Sequence, residues 1–332
     1  MRERYLRQTA LPQVGEAGQR ALGEKRVLVA GCGALGTHTA EALLRAGVKG
    51  LVLVDRDLVE VHNLPRVAFF LPEDVGKPKA LVAKERLAAI DPEAELEAYV
   101  AHLGPELAEE LVPKVDLVVD GLDNLESRYL LNDACVKHGK PWIYTAVLAT
   151  YGLTMPIVPG QGPCLRCLFP NPPAPGTIPT CAEAGILGPV PKALAALQAS
   201  TALVLLLGQE ARPGELLWLD LWSRQIQSVR VQRAADCPAC GRRDFQFLRE
   251  AARATTLCGE VVQILPRGAA ELDLVALARR LASLGKAEVK NGVLFAEIEG
   301  LSFVIFPDGR ALIKGVSDPN RAQALYDQFI AR

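Results

Sequence analysis

Three groups of residues in this chain have types and spacings that can do chemistry. The first is Gly31-Cys-Gly33-Ala-Leu-Gly36, set between an apolar run and a helical pattern. Glycines so placed allow a tight turn and let backbone amides approach a phosphate at a helix N-terminus. Asp55, ending the next apolar run, is placed to accept hydrogen bonds from ribose hydroxyls. Alone, the motif predicts a nucleotide, with NAD the default; a glycine turn holding no ligand is the bland alternative. The second group is Cys164-Leu-Arg-Cys167 with Cys237-Pro-Ala-Cys240. Four thiolates suit tetrahedral Zn²⁺ and leave no open position, so the metal would be structural; four reduced thiols that bind nothing are the alternative. The third is a series of polar residues: Asn63-Leu-Pro-Arg66, Gly76-Lys-Pro-Lys79 and Asp123-Asn124. Singly, each cation reads as a solvated surface charge. A dehydrogenase needs no such set of phosphate-directed cations, whereas attack at phosphorus does.

The elements that must carry these residues follow from hydrophobic patterning. Apolar runs alternating with helical segments from Arg26 predict βαβ units and a mostly parallel sheet. Strands are expected at Arg26–Ala30, Leu51–Asp55, Glu95–Ala101, Leu117–Asp120 and Trp142–Ala146, and helices at Ala34–Ala46, Lys77–Ile90 and Leu125–His138. The strands lack alternation, as when both faces are covered. After Tyr151 the character changes. A Pro- and Gly-rich segment, Pro159–Pro191, leads to an apolar helix at Ala193–Gly208 and a strand pair at Leu216–Leu221 and Gln225–Val231. A boundary near Arg249 divides residues 1–249 from a small α+β domain, 250–332, with turns at Asn291-Gly292 and Pro307-Asp308-Gly309.

The 332 residues are half hydrophobic and under a quarter charged, with a formal net charge of −1. That balance gives no case for a nucleic-acid or membrane partner. The first residues lack the apolar core of a signal peptide, and the apolar helix falls short of the roughly 20 residues that span a bilayer; it reads as buried, at the core or a subunit interface. Eight cysteines without a leader suggest reduced thiols and a cytoplasmic protein. Cys32 and Cys135 read as small packed side chains. Cys181 has no second cysteine at ligand spacing and lies in the proline-rich segment.

Taken in order, the motifs resemble those of the HesA/MoeB/ThiF family, bacterial relatives of ubiquitin-activating enzymes. The residues that carry the resemblance are Arg4-Tyr-Leu-Arg7-Gln8, Gly31 to Gly36, Asp55-Arg-Asp57, Asn63-Leu-Pro-Arg66, Gly76-Lys-Pro-Lys79, Gly121-Leu-Asp123-Asn124, Thr180-Cys181-Ala-Glu-Ala-Gly185 and the two cysteine pairs. The likeness runs from about residue 4 to 248. It implies a Rossmann-like sheet with an ATP-binding glycine loop, a zinc site and a homodimer. By the same resemblance Asp55 holds the ribose, and Asn63, Arg66 and Lys79 line the phosphates. Asp123 holds Mg²⁺ near the α-phosphate, Asn124 is a further cofactor contact, and Arg7 reaches into the partner subunit's ATP site. The family pattern at residues 62–67 reads Ser-Asn-Leu-Asn/Gln-Arg-Gln; here His62, Pro65 and Val67 replace three polar residues.

The implied reaction is ATP-dependent adenylylation of the C-terminal glycine of a ubiquitin-like sulfur carrier of the ThiS/MoaD type, ending in Gly-Gly. A separate sulfur donor, a cysteine desulfurase or rhodanese, then yields a thiocarboxylate for thiamine, molybdopterin or thiolated-tRNA synthesis. Cys181 is covalently linked to the carrier in ThiF-like members and dispensable for adenylation in MoeB-like ones. Residues beyond 250 lack a rhodanese loop around Cys258 and resemble the short extension of some bacterial members, with carrier or donor docking, or a cap on the dimer, as their expected role. The rival readings are an NAD-dependent dehydrogenase on the same fold, a non-catalytic ATP-binding module, and an enzyme that activates a small-molecule or tRNA-borne carboxylate.

Overall fold

The computed structural model describes residues 3–173, 181–249, 254–257, 261–266 and 272–331. The chain forms two compact units, Met1–Glu250 and Ala251–Arg332.

The first unit is built on eight strands: β1 (Arg26–Ala30), β2 (Gly50–Val54), β3 (Glu95–Tyr99), β4 (Leu117–Asp120), β5 (Trp142–Leu148), β6 (Tyr151–Ile157), β7 (Glu215–Asp220) and β8 (Gln225–Arg230). They lie in the order β3-β2-β1-β4-β5-β6-β7-β8. The first five are parallel and the last three run antiparallel. The chain winds outward from β1 in both directions, through β2 to β3 and through β4 to β5. The crevice at the carboxyl ends of β1 and β4 is therefore the topological switch point, where open α/β sheets bind ligands.

Alternate residues of each inner strand feed two cores. Val27, Val29, Leu51, Leu53, Leu117 and Val119 face one core, which the helices Ala34–Arg45, Lys79–Ile90 and Pro189–Leu206 supply from the other side. Leu28, Ala30, Val52, Val54 and Val118 face the second core, covered by Pro105–Leu111 and Leu125–His138. Both faces are thus apolar, and β1, β2 and β4 read as unbroken aliphatic runs. β3 departs from that pattern because it is the edge: Glu95 is exposed, and charge there discourages pairing with another chain.

In the first unit, one strand has no counterpart in the sequence reading. β6 forms a hairpin with β5, pairing Leu148 with Tyr151 across Ala149-Thr150. Ala149 takes φ +51° at this turn, so the reversal is made without glycine or asparagine.

The apolar helix runs from Pro189 to Leu206 and, among the described residues, is long and apolar enough to cross a membrane. Here it lies against the sheet, with Val190, Leu194, Ala195, Gln198, Ala199 and Ala202 buried. Gln198 is its one polar residue in the core and is fully paired. Its Nε2 donates to the Asp120 carbonyl (2.9 Å) and the Thr145 hydroxyl (2.9 Å), and its Oε1 accepts from Thr39 (2.6 Å). One side chain therefore joins this helix to β4, β5 and the helix that follows β1.

The second unit contains β9 (Ala254–Leu257), β10 (Val261–Ile264), β11 (Gly285–Lys290), β12 (Val293–Ile298), β13 (Leu301–Ile305) and β14 (Ala311–Lys314), ordered β11-β12-β13-β14-β10-β9. Every pairing in it is antiparallel. Helices Leu274–Leu281 and Pro319–Phe329 cover one face of a core that includes Phe303, Ile305, Ile313 and Phe329. Asn291-Gly292 turns with both φ angles positive, as a two-residue hairpin requires, and Glu299-Gly300 does the same. Cys258 lies outside the described residues.

Gln198→Leu keeps the volume but removes the side-chain partner of the Asp120 carbonyl, while the Thr39 and Thr145 hydroxyls keep the Leu35 carbonyl (3.1 Å) and the Thr154 hydroxyl (3.0 Å). A buried polar group left unpaired costs about 1–3 kcal/mol. The variant should unfold at lower urea with an unchanged m-value; an unchanged midpoint would show that the bridge adds nothing.

Candidate active site

The site begins with a backbone contact that only glycine permits. Gly31, directly after β1, has φ +95°, and a Cβ there would lie 2.5 Å from the Gly121 carbonyl oxygen. A Cβ on Gly36 would stand 1.8 Å from the Gly31 oxygen, and one on Gly121 would stand 2.4 Å from it. The loop after β1, the first turn of the next helix and the loop after β4 are thus in backbone contact. Gly33 differs. A Cβ there meets nothing within 4 Å, and Gly33 N-caps the helix without a side-chain hydrogen bond. Its place in the loop is open to a ligand, and the first-turn amides are free of a side-chain cap.

Asp55 follows β2 and is 8% exposed. Its Oδ2 accepts the Cys32 N–H (2.6 Å) and its Oδ1 the Asp57 N–H (2.7 Å), so it shapes the glycine loop from below. Burial pushes its carboxyl up, against the pull of Lys79. Cys32 is buried and its thiol is also pushed up, by burial and by Asp55, which makes it a packed side chain and a poor nucleophile.

Lys79 starts the helix after the Gly76 turn and is 8% exposed. Its Nζ lies 3.1 Å from Asp57 Oδ2, and its backbone N–H donates to the Asp57 carbonyl. Burial pulls the ammonium down, but Asp57, Asp55 and Asp123 outweigh it and hold it above an ordinary lysine. It is a permanent positive charge in the crevice.

Between these segments, Asn63 is buried, and its Oδ1 accepts the Glu60 N–H (3.0 Å) to cap a short turn. The Arg66 N–H donates to the Asn63 carbonyl, and the Arg66 guanidinium turns back onto the His62 carbonyl. A Cβ at Gly188, just before the apolar helix, would stand 3.3 Å from the Pro65 oxygen, so that helix starts against this loop.

At the end of β4 the buried Asp120 receives Arg128 Nε (2.8 Å), Leu122 N–H (2.9 Å) and Thr145 N–H (3.3 Å). Arg128 also donates to the carbonyls of Leu122 (2.6 Å) and Thr145 (3.0 Å). This ion pair pins both ends of the turn that presents Asp123 at the surface of the crevice. Asn124 is committed locally: its Oδ1 caps the Leu125–His138 helix by accepting the Ser127 N–H (2.9 Å), and its Nδ2 donates to Asp123 (3.2 Å). It orients Asp123 and has its carbonyl oxygen already engaged.

The four paired cysteines converge elsewhere in the same unit. Their sulfurs all lie within 4.8 Å of one another, with Cys164 and Cys237 at 3.5 Å and Cys167 and Cys240 at 3.4 Å. Zn–S bonds of about 2.3 Å in a tetrahedron place sulfurs about 3.8 Å apart, so the donor set fits the ion. The second knuckle turns tightly, because a Cβ at Gly241 would stand 2.3 Å from the Ala235 oxygen. Arg233 donates to the Cys240 carbonyl (2.8 Å) and brings positive charge to the cluster.

Comparison with known proteins fits this arrangement. The model of the ThiF family matches residues 5–239. The chain belongs to the ThiF family. It is 40% identical to the sulfur carrier protein ThiS adenylyltransferase of Bacillus subtilis, over 99% of this chain and 100% of the relative. The sulfur carrier protein adenylyltransferase of Thermus thermophilus is 43% identical over 77% of this chain and 96% of its own length. Among solved structures, Escherichia coli MccB with ATP has the same fold, at TM-score 0.58 and 24% identity over 67% of this chain and 68% of its own. The second unit falls within the B. subtilis alignment, so that ThiF-family relative shares it.

Of the remaining site residues, Arg7 lies exposed on the short helix Leu6–Thr9, with no ion pair among the described residues. Cys181 opens the short helix Cys181–Ala184; its side chain lies outside the described set. No role was read from sequence for Asp57, Asp120, Arg128 or Gln198. Asp57 had a signal, the Asp-Arg-Asp spacing, and Arg128 had only an i+8 relation to Asp120 across a turn.

Asp120→Ala leaves the Arg128 charge buried and unpaired, which costs about 3–5 kcal/mol. Adding Arg128→Met should recover much of the loss in chemical denaturation. A double variant as unstable as the sum of the single ones would contradict the pairing.

Proposed function

We propose that this chain is an ATP-dependent adenylyltransferase that activates the C-terminal glycine carboxylate of a ubiquitin-like sulfur-carrier protein. The observation that carries the reading is the buried Lys79, held charged beside Asp57 in the crevice that the glycine loop and Asp123 share. The names of the B. subtilis and T. thermophilus relatives support the substrate class.

In this mechanism the amides after Gly33 receive the triphosphate, and Asp55 accepts the ribose hydroxyls on lone pairs left beside its two backbone bonds. Lys79, Arg66 and the Asn63 amide neutralise and orient the phosphates. Asp123, steadied by Asn124, would hold Mg²⁺, which supplies further neutralisation at the phosphates. The carrier's carboxylate oxygen bonds to the α-phosphorus, the α–β bridging bond breaks, and pyrophosphate leaves with its electron pair. The acyl-adenylate then loses AMP to sulfur delivered by a separate donor, a cysteine desulfurase or rhodanese. Arg7 completes the site from the partner subunit of a homodimer. The four cysteines hold Zn²⁺ as a structural clasp, and the reaction runs in the cytoplasm, where thiols stay reduced. Cys181 acts, if covalently engaged, only after adenylation. The unit from Ala251 onward serves docking of the carrier or donor.

A Gly-Gly-terminated sulfur carrier should promote exchange of labelled pyrophosphate into ATP, and Asp123→Ala should lower that exchange by about 100-fold or more. Full exchange in the variant would remove the metal-holding role of Asp123. Cys181→Ser should leave exchange within about threefold of the parent while blocking a reductant-sensitive carrier conjugate; collapse of exchange would place the thiol in the adenylation step. One zinc per chain should co-purify, and Cys164→Ser should lower the melting temperature. Metal-free protein from a chelator-free preparation would eliminate the clasp.

A further inference from the structure

The helix that opens on the glycine loop also holds the loop that carries Arg66, through two consecutive side chains. Thr37 Oγ1 donates to the Gly33 carbonyl (2.8 Å) and accepts the Ala68 N–H (3.2 Å). His38 Nε2 lies 3.1 Å from the Arg66 carbonyl oxygen. That oxygen offers only lone pairs, so the ring must donate from Nε2.

The clasp adds a tie from outside the loop, whose own contacts to Arg66 come from the Asn63 and His62 carbonyls. Pro65 has no N–H to give, and Val67 is an apolar side chain packed into the core. Arg66 is then held at its N–H by the Asn63 carbonyl, at its guanidinium by the His62 carbonyl and at its own carbonyl by His38. His38 is half-buried, and burial keeps it below the ordinary histidine value, opposed by its bond to the Arg66 carbonyl and by Glu41 of its own helix and reinforced by Lys192 of the apolar helix. The ring is neutral at pH 7 and donates one hydrogen bond.

We propose that His38 is a positioning residue for ATP: by gripping the Arg66 carbonyl it sets the guanidinium's reach to the phosphates bound on the glycine loop. The inference rests on the phosphate role of Arg66 proposed above. Both ends of the clasp lie on one rigid path, from Gly33 through the first turns of the helix to His38. The distance from the phosphate amides to the base of Arg66 is therefore fixed by helix geometry and survives the loss of polar residues from the loop.

The test is equilibrium binding of ATP with Mg²⁺, and of adenosine, to the purified full chain. His38→Ala should weaken ATP about tenfold, the worth of one hydrogen bond that organises a charge contact, and leave adenosine unchanged. His38→Gln, which keeps an N–H at similar reach, should restore most of the affinity. In an Arg66→Ala background the His38→Ala change should have no further effect. Equal weakening in both backgrounds, or weakening of adenosine as well, would show a general structural role and overturn the proposal. Unaltered ATP affinity in His38→Ala, with Arg66→Ala weakened, would overturn it while sparing the role of Arg66. Unaltered affinity in Arg66→Ala itself would overturn the underlying reading and the proposal with it.

Discussion

Everything in the crevice depends on three peptide backbones lying closer together than any side chain allows. Gly31, Gly36 and Gly121 bring the loop after β1, the next helix and the loop after β4 into mutual contact. The consequence is geometric. The helix amides, the residues after β2 and the residues after β4 all open onto one space. Because β1 and β4 are adjacent and the chain leaves them in opposite directions, that space has no crossover helix above it.

Charge is managed on two levels beneath the open space. Asp120 and Arg128 form a buried pair whose hydrogen bonds tie the turn bearing Asp123, at Leu122, to Thr145 of β5. Such a pair adds little net stability, because desolvation offsets attraction; its value here is that it fixes backbone position. Above it, Asp55 and Asp57 flank Lys79. The acids keep the cation charged, so under the proposed mechanism no proton need be gained when a phosphate arrives. A low-dielectric crevice then makes that single charge count for more than a surface lysine would.

How much of this was legible in the sequence depended on whether a residue's partner was local. The strands β1 and β4, the helix Leu125–His138 and the hairpin at Asn291-Gly292 were readable because aliphatic runs, caps and turn residues are encoded within a few positions. β6 was not, because Ala149 makes its turn in a conformation that the residue type does not announce. Arg66, Lys79 and Asp123 were read from motifs, but Gln198 was not. Its partners, Thr39, Asp120 and Thr145, lie in three distant segments. Asn124 was read as a cofactor contact; that its carbonyl oxygen also caps a helix was not read. His38 carried no signal at all, since its partner is a backbone carbonyl.

The central claim is that these groups direct a carboxylate to the α-phosphorus of ATP. The most direct test is intact-mass analysis of a Gly-Gly-terminated carrier after a brief reaction with the enzyme, ATP and Mg²⁺ at high enzyme concentration. The carrier should gain the mass of one adenylate, which hydroxylamine removes, and a carrier lacking its terminal glycine should gain nothing. Hydrolysis of ATP with an unmodified carrier, or an adenylate on the truncated one, would contradict the account.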